Sequence, residues 1–387
     1  MKRTITVSIL GTLPPIRALS SYCFELANAI SEKCRVEFIS FKKIYPAFLY
    51  PGGAPDDDDT YPPISSTQIN VRTRLKWYNP LSWFIEGLTA KGDLLHAQWW
   101  SAPLFPIYLI VCACFKIKKK PIIFTVHNVL SHEKSFLYFK MTQILFKLGD
   151  YFIVHSDINK QQMKDFYNIP ENKISVISHG SLDFHIKKGV DRKALRKEMG
   201  INPENKVILM FGAIRPYKGL DTAIKAFARI VYKIPDARLL IAGRLWEDWT
   251  PYDQLICKLG INKSIITCLE YIPSGDVYKF FEVSDLCIFP YHHFDSQSGA
   301  GSAALSFLKP MIVSDVGGLP DLVKDPKWVV PPKDHSVLAD AVLCCFNGPN
   351  MIEQMKSDAE EISEKFSWSE IADKTEKIYH QLLNQQI

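Results

Sequence analysis

Short apolar runs alternate with helical patterns along the whole of this 387-residue chain, and this rhythm restricts the fold more than any other feature. Apolar runs of strand length joined by helices predict parallel strands, with helices covering both faces of the sheet. The alternation of strand and helix patterns is interrupted by the charged segment 187–197 and resumes after it. The predicted strands are Ile5–Leu10, Val36–Phe41, Leu94–Ala97, Ile122–Val126, Tyr151–Val154 and Ile174–Ile177 in the first series, and Val207–Phe211, Ala237–Ile241, Ile265–Leu269, Leu286–Phe289, Met311–Val313 and Trp328–Val330 in the second.

Two such series predict two Rossmann-like, doubly wound α/β domains joined by a hinge near residues 180–190. Open α/β sheets bind ligands beyond the carboxyl ends of their strands. Two domains that face each other would therefore hold a ligand in a deep cleft between them. We place the first domain at residues 1–182 and the second at 183–365.

Charge is shared unevenly between the two halves of the chain. Residues 1–182 carry 21 Lys and Arg against 14 Asp and Glu, whereas residues 183–387 carry 25 against 27. The basic half predicts an anionic partner, either a membrane surface or a phosphorylated acceptor. We expect no nucleic-acid partner.

The longest apolar run, residues 103–115, is too short to span a bilayer. It leads into the cluster Lys116–Lys120. This pattern fits a helix lying on a membrane surface as well as a core helix with a solvated end. Residues 4–10 alternate as a first strand does and are followed by no signal-peptide cleavage site. The nine scattered cysteines match no zinc or redox spacing, so we expect reduced thiols in a cytoplasmic protein. Whether it also contacts the cytosolic face of the membrane peripherally is left open by the pattern at 103–120.

Three stretches carry candidate chemistry. The small residues 298–304 predict a tight turn and then a helix whose first amides face an anion, although close helix packing explains them equally well. Arg215 and Lys218 lie in a Pro- and Gly-bounded turn after a predicted strand, where two cations can clamp a diphosphate. His127 follows a predicted strand directly, where it is either a ligand-binding or a structural histidine. The acidic run Asp56–Asp59 lies among Pro and Gly, which favours a solvated loop over a metal site.

Taken in order, the motifs resemble those of the retaining glycosyltransferases of family 4, which have the GT-B fold of two Rossmann-like domains across a cleft. The resemblance covers nearly the whole chain. It implies that the closing helix, residues 366–387, crosses back to the first domain. The matching stretches are TVHN (125–128), GAIRPYKGLD (212–221), IAGR (241–244), YIPSGDVYKFFEVSDLCIFPY (271–291), KPMIVSDVGGLPDLV (309–323), VVPPKD (329–334) and FSWSEIADKTEKIY (366–379).

The resemblance implies transfer of a hexose from a UDP-sugar or GDP-mannose to a saccharide acceptor linked to a polyprenyl diphosphate. It implies no metal and no cofactor. The second domain would bind the donor and the basic first domain the acceptor. The catalytic residues implied are Arg215, Lys218, His127 and Asp295, and the donor-binding residues are Gly11, Gly212, Arg244, Tyr271, Ile272, Ser298, Gly299 and Ala300.

The sequence departs from the family pattern at the donor site. The two glutamates usual before Lys309-Pro310 are Asp295 and Ala303 here, and the pattern Gln297-Ser298-Gly299 resembles that of a variant subgroup. Ala213 replaces the arginine that usually follows the loop glycine. These departures leave open a weakly active or inactive sugar-nucleotide-binding protein. A nucleotide-sugar epimerase of the same fold is a further alternative.

Overall fold

The computed structural model describes residues 4–16, 19–44, 58–64, 66–130, 136–182, 186–187 and 189–385. The chain divides into two compact units. The first consists of Met1–Gly180 with Phe366–Ile387, and the second of Ser181–Lys365. Both are built on a parallel sheet, and two such Rossmann-like sheets are what the apolar rhythm predicts.

The first unit is a doubly wound sheet with helices between its strands. Its strands are β1 (Thr6–Leu10), β2 (Arg35–Lys43), β3 (Ile69–Lys76), β4 (Leu94–Trp99), β5 (Ile122–Val126), β6 (Tyr151–Val154) and β7 (Ile174–Val176). Its helices are α1 (Ser20–Ser31), α2 (Pro80–Thr89), α3 (Phe105–Ile117), α4 (Phe136–Phe146) and α5 (Asp157–Tyr167). Over the described residues the strands lie in the order β3-β2-β1-β4-β5-β6-β7, so the order reverses between β1 and β4.

Strand β3 is the strand that the sequence did not predict. It pairs in parallel with β2 at the edge of the sheet, and most of its side chains are at least partly exposed. An edge strand of this kind alternates polar and apolar residues and therefore shows no continuous apolar run. Apart from β7 at the opposite edge, the predicted strands of this unit lie inside the sheet, where both faces are covered and such runs are required.

The second unit repeats this architecture. Its strands are β8 (Lys206–Phe211), β9 (Ala237–Ala242), β10 (Ile265–Cys268), β11 (Leu286–Phe289), β12 (Met311–Ser314) and β13 (Val329–Val330). Its helices are α6 (Arg192–Glu198), α7 (Leu220–Lys233), α8 (Thr250–Leu259), α9 (Val277–Val283), α10 (Gly299–Ser306), α11 (His335–Asn347) and α12 (Met351–Lys365). In the described part of this unit the order is β10-β9-β8-β11-β12-β13, which reverses between β8 and β11.

The last helix, α13 (Trp368–Asn384), packs against α1 in the first unit. The Tyr379 hydroxyl lies 2.7 Å from His96 Nδ1 on β4. Lys33 Nζ lies 2.6 Å from Asp373 Oδ1 at the surface of the same helix pair. A buried hydrogen bond and an apolar face thus fix α13 to the first sheet.

Helix α3 belongs to the core. Its residues Ile107, Tyr108 and Val111 are fully buried, so the interfacial alternative for segment 103–115 is wrong and the core alternative is right. None of the helices in the described part of the chain is long and apolar enough to cross a membrane. All nine cysteines are free thiols.

Packing between α2 and α3 gives a test of this core. A Cβ added at Gly87 would lie 2.8 Å from Cys114 Cβ and 3.2 Å from Val111 Cα. Replacing a helical Gly by Ala gains about 1 kcal/mol of helix propensity, but forcing a methyl group into this contact costs about 1–3 kcal/mol. We therefore expect Gly87→Ala to lower the free energy of unfolding, measured by urea titration.

Leu88→Ala is the matched control, because Leu88 lies on the exposed face of the same helix. Its effect should stay within about 0.5 kcal/mol. A Gly87→Ala variant at least as stable as the parent would contradict the close packing of α2 on α3.

Candidate functional site

In the second unit, the loops at the carboxyl ends of β8 and β11 meet where the strand order reverses. Open α/β sheets bind ligands at such a switch point. The turn after β8 holds Arg215 and Lys218, and the loop after β11 leads into α10. The sequence analysis assigned residues of both motifs to the donor site, and the sheet topology places the two loops side by side.

Two close backbone contacts fix the turn after β8. Gly219 has φ +72°, and a Cβ there would clash with the Pro290 carbonyl oxygen at the end of β11. The His292 N–H donates a 2.7 Å hydrogen bond to the Tyr217 carbonyl. These two contacts join the strand-end loops and fix the backbone on either side of Lys218.

Lys218 is a buried residue, and its ammonium group lies between the end of β8 and the start of α10. A Cβ added at Gly212, where φ is +103°, would lie 2.9 Å from Lys218 Nζ and 3.3 Å from Ala300 Cβ. Lys218 Nζ lies 5.2 Å from the centroid of the Tyr291 ring. Within the described ranges no carboxylate lies within 4 Å of this ammonium. Gly212, Lys218 and Ala300, all predicted site residues, therefore share one location.

Burial is the largest influence on Lys218 and lowers its pKa; Tyr217 opposes this shift, and the positive charge of Arg215 adds to it. A buried charge without a partner is costly. An anionic ligand beside Lys218 would supply the missing charge.

Helix α10 supplies donors next to this cation. Its cap, Ser298, accepts a hydrogen bond from the Gly301 N–H at 3.2 Å and lies 3.0 Å from the Tyr291 hydroxyl. Gly299 is exposed, and nothing lies within 4 Å of where its Cβ would be. The first N–H groups of a helix have no partner within the helix. The predicted turn and helix are present, and the space beside the first turn is open.

Arg215 lies on the other side of Lys218, above the loop that follows β9. Its guanidinium carbon is 3.8 Å from the centroid of the Trp246 ring, a cation–π contact that holds the side chain. The backbone of Arg244 accepts a 2.8 Å hydrogen bond from the Ile214 N–H. Arg215 and Arg244 thus lie near each other at the junction of β8 and β9.

The other predicted residues of this unit lie further out. Tyr271 and Ile272 follow β10, which pairs with β9 and not with β8; Tyr271 is half-buried and Ile272 is buried. Asp295 is exposed in the loop between β11 and α10. The Gly318 N–H donates a 2.9 Å hydrogen bond to the Ser296 carbonyl and fixes this loop.

In the first unit, a row of buried histidines lies at the carboxyl ends of neighbouring strands. His127 follows β5, His155 follows β6 and His179 lies beyond β7. The Tyr22 ring from α1 packs on all three, with centroid distances of 4.6, 5.4 and 4.9 Å. Gly11 follows β1 in the same unit, where a Cβ would lie 2.9 Å from Cys23 Sγ.

The hydrogen bonds assign the tautomers of two of these rings. His155 Nδ1 lies 2.9 Å from the Ile177 carbonyl, which only accepts, so Nδ1 carries the proton. His155 Nε2 then accepts from His127 Nδ1–H at 3.1 Å. His127 Nε2 is left unprotonated, 3.1 Å from the Gln98 side-chain amide.

These tautomers also determine the orientation of the Gln98 side-chain amide. Two acceptors would face each other if the amide turned its oxygen to His127, and the amide nitrogen would be buried with no partner among the described residues. We therefore assign the NH₂ group of Gln98 as the donor to His127 Nε2. His127 consequently has a protein partner on each ring nitrogen.

Burial lowers the pKa values of these histidines. That of His155 falls to about 3 and that of His179 to about 4. The pKa of His127 is lowered by burial first and by its histidine neighbours second. His96 on β4, bonded to Tyr379 and Thr125, has its pKa lowered by burial to about 3. All four are therefore neutral in the folded protein at pH 7.

No group of three or more metal-binding side chains is found in the part of the chain that the structure covers. Asp56 and Asp57 of the acidic run lie outside the described residues. Asp58 is buried, contrary to the expected solvated loop, and its Oδ1 accepts a 3.0 Å hydrogen bond from the Thr60 N–H.

Sequence reasoning missed Trp246, Tyr291, Gln98 and the linkage of His155 to His127. Each contacts a predicted site residue, and each comes from a different strand or strand-end loop than that residue. A weak signal existed for Tyr291, which follows a predicted strand by two residues.

Two family profiles match the chain. Residues 19–181 match the family described as Glycosyltransferase Family 4, and residues 191–362 match Glycosyl transferases group 1. An uncharacterized glycosyltransferase of Methanocaldococcus jannaschii is 28% identical over 57% of this chain and 57% of its own length. A D-inositol 3-phosphate glycosyltransferase of Corynebacterium glutamicum is 25% identical over 74% of this chain and 72% of its own length.

Solved structures with the GT-B fold superpose on the chain. HepE of Anabaena in complex with UDP gives a TM-score of 0.74 at 16% identity, covering 97% of this chain and 100% of HepE. Sucrose-phosphate synthase of Thermosynechococcus elongatus gives 0.74 at 16% identity, covering 99% and 100%. These likenesses, with the two parallel sheets, show that the chain has the two-domain GT-B fold.

The histidine row predicts a pH-dependent stability. The unfolded chain binds a proton at each histidine near the ordinary pKa of 6.5, whereas folded His155 binds one only near pH 3. The free energy of unfolding is therefore highest above pH 6.5. It falls as the pH is lowered, by up to about 1.4 kcal/mol per pH unit for each such histidine. Urea unfolding at a series of pH values should show this slope, and His155→Gln should reduce it by about one proton.

His380→Gln is the control, because His380 is exposed on α13 in the same unit. It should keep the slope of the parent. Equal slopes for the parent and His155→Gln would rule out a neutral, buried His155.

Proposed function

The chain belongs to the group 1 glycosyltransferases, and on that premise we propose that it is a retaining, metal-independent hexosyltransferase. The proposed donor is a UDP-sugar or GDP-mannose, with no cofactor. The proposed acceptor is a saccharide linked to a polyprenyl diphosphate, used in making cell-surface polysaccharide or glycolipid. The proposed location is the cytoplasm, with peripheral contact at the cytosolic face of the membrane.

One observation carries the proposal: the buried ammonium of Lys218, without a carboxylate partner in the described residues, beside the open first turn of α10. The donor's diphosphate would complete this site. As the bond to the sugar breaks, the departing diphosphate gains negative charge, which Lys218 and Arg215 stabilise. One such contact typically supplies about 3–4 kcal/mol. The crystal structures of HepE with UDP and glucose and with UDP-glucose support a nucleotide-sugar donor.

Retention is proposed to proceed through an oxocarbenium-like ion pair, in which the leaving phosphate takes the proton of the acceptor. No protein nucleophile is then needed. His127 and Asp295 are the residues we propose for the donor sugar, and Gly11, Arg244, Tyr271 and Ile272 for the rest of the donor. The tautomer of His127 makes its Nε2 an acceptor for a sugar hydroxyl, in place of Gln98.

The second candidate is a sugar-nucleotide-binding protein without turnover. It is favoured by Ala303, which is buried in α10 at the position where the family resemblance implies a glutamate. Binding of a nucleotide sugar without release of its nucleotide, across a panel of lipid-linked acceptors, would favour this candidate over the enzyme.

Lys218→Met tests the diphosphate site. The methionine keeps the length of the side chain and removes the charge. We expect transfer to fall about 100- to 1000-fold, while the melting temperature without ligand stays equal or rises, because an unpaired buried charge is removed. Release of nucleotide from the sugar donor measures transfer, and a thermal melt measures stability.

Lys225→Met is the matched control, since Lys225 is an exposed cation on α7, paired with Asp221. It should transfer sugar at the parental rate. Near-parental transfer by Lys218→Met would sink the proposal that this lysine neutralises the leaving group.

A further inference from the structure

Helix α2 faces the solvent with its apolar side. Leu81, Phe84, Ile85 and Leu88, at helical spacing on one face, are 71%, 48%, 53% and 53% exposed. The only acid of the helix, Glu86, is fully buried. A surface helix normally has the opposite arrangement.

The inner side of α2 is fixed, so the helix does not present this face by chance. Glu86 Oε2 lies 2.8 Å from Arg72 Nε on β3. Trp83 Nε1–H donates a 2.7 Å hydrogen bond to the Lys76 carbonyl. Gly87 packs against Cys114 on α3. Rotating the helix to hide its apolar face would break all three contacts.

The surroundings of α2 are positively charged. Residues 66–120 hold eight Lys and Arg against two acids. Both acids turn inward: Glu86 pairs with Arg72, and Asp93 accepts a 3.0 Å hydrogen bond from the Thr6 N–H.

Two of the cations beside α2 are exposed, although Arg74 lies 3.9 Å from Glu86 and Lys116 pairs with Asp150. The side chain of Arg74 is 69% exposed beside α2, and Lys91 is exposed one residue beyond the Ala90 cap. Lys118 donates to the carbonyls of Gly87 and Ala90, at 2.7 and 2.9 Å, and brings a third positive charge to the carboxyl end of the helix.

We propose that this face of α2 docks the protein on the surface of a bilayer that contains anionic lipids. The apolar side chains would enter the boundary between headgroups and acyl chains, and the cations would meet lipid phosphates. A second copy of the chain is a poorer occupant, because two identical basic rims repel each other. The proposed membrane contact would then be made by α2, and not by segment 103–115, for which the sequence left a surface-bound and a core helix open.

This proposal deepens the proposed function, because it gives a lipid-linked acceptor a surface at which to meet the enzyme. Vesicle binding, however, is measured without turnover. A chain that binds vesicles but no nucleotide would overturn the function alone. A chain that binds nucleotide but no vesicles would overturn the docking face alone.

Co-sedimentation of the full chain with vesicles tests the docking face. We expect binding to phosphatidylcholine vesicles that contain phosphatidylglycerol, weaker binding to phosphatidylcholine alone, and loss at high salt. The double variant Phe84→Ser/Ile85→Ser should lower the partition coefficient about tenfold or more. Arg74→Gln/Lys91→Gln should weaken binding to the anionic vesicles only.

Ile158→Ser/Phe166→Ser is the matched control, because both residues are exposed on α5 of the same unit. It should bind vesicles as the parent does, and all variants should melt near the parental temperature. Light scattering of the eluted protein measures its mass and so tests the alternative occupant, a second copy of the chain. A dimer that Phe84→Ser/Ile85→Ser dissociates, in a chain that binds no vesicles, would overturn the proposal in favour of a second copy.

Discussion

The candidate site depends on one buried cation that has no carboxylate beside it. Lys218 Nζ lies where a Cβ on Gly212 would nearly touch it, and the turn that carries it is fixed by backbone contacts to the end of β11. Removing such a charge from water is unfavourable unless something pairs with it. The described residues near it are the open first turn of α10, the face of Tyr291 and a second cation, Arg215. The site is therefore complete only with an anion, and this links the fold to the proposed diphosphate donor.

The parallel arrangement of the strands has the same consequence in both units. All the strands of a sheet end at one edge, so residues far apart in sequence become neighbours there. In the second unit this edge joins the turn after β8 to α10. In the first it aligns His127, His155 and His179. The Ile177 carbonyl fixes the proton on His155, and through it the proton on His127. A backbone carbonyl thus decides which nitrogen of His127 is the acceptor, the one that lies 3.1 Å from the Gln98 amide.

The sequence predicted what depends on local pattern and missed what depends on partners from other strands. The buried strands Ile122–Val126 and Tyr151–Val154 were predicted to the residue, because strands covered on both faces need unbroken apolar runs. The turn with Lys218 was predicted from its cations and glycines. Trp246 under Arg215 was not, because it comes from the next strand along the sheet. The sequence did not predict the outward apolar face of α2 for the same reason. Glu86 is buried because it pairs with Arg72 of β3, and β3 is the edge strand that has no apolar run.

Calorimetry of nucleoside diphosphate binding tests the central claim most directly. A diphosphate next to Lys218 should raise the pKa that burial has lowered, so binding at alkaline pH should take up protons. Titrations of UDP and GDP in buffers of different ionisation enthalpy measure that uptake. We predict net uptake by the parent with one of the two, and weaker binding without uptake in Lys218→Met. Equal affinity and no uptake in both proteins would contradict a diphosphate bound by Lys218.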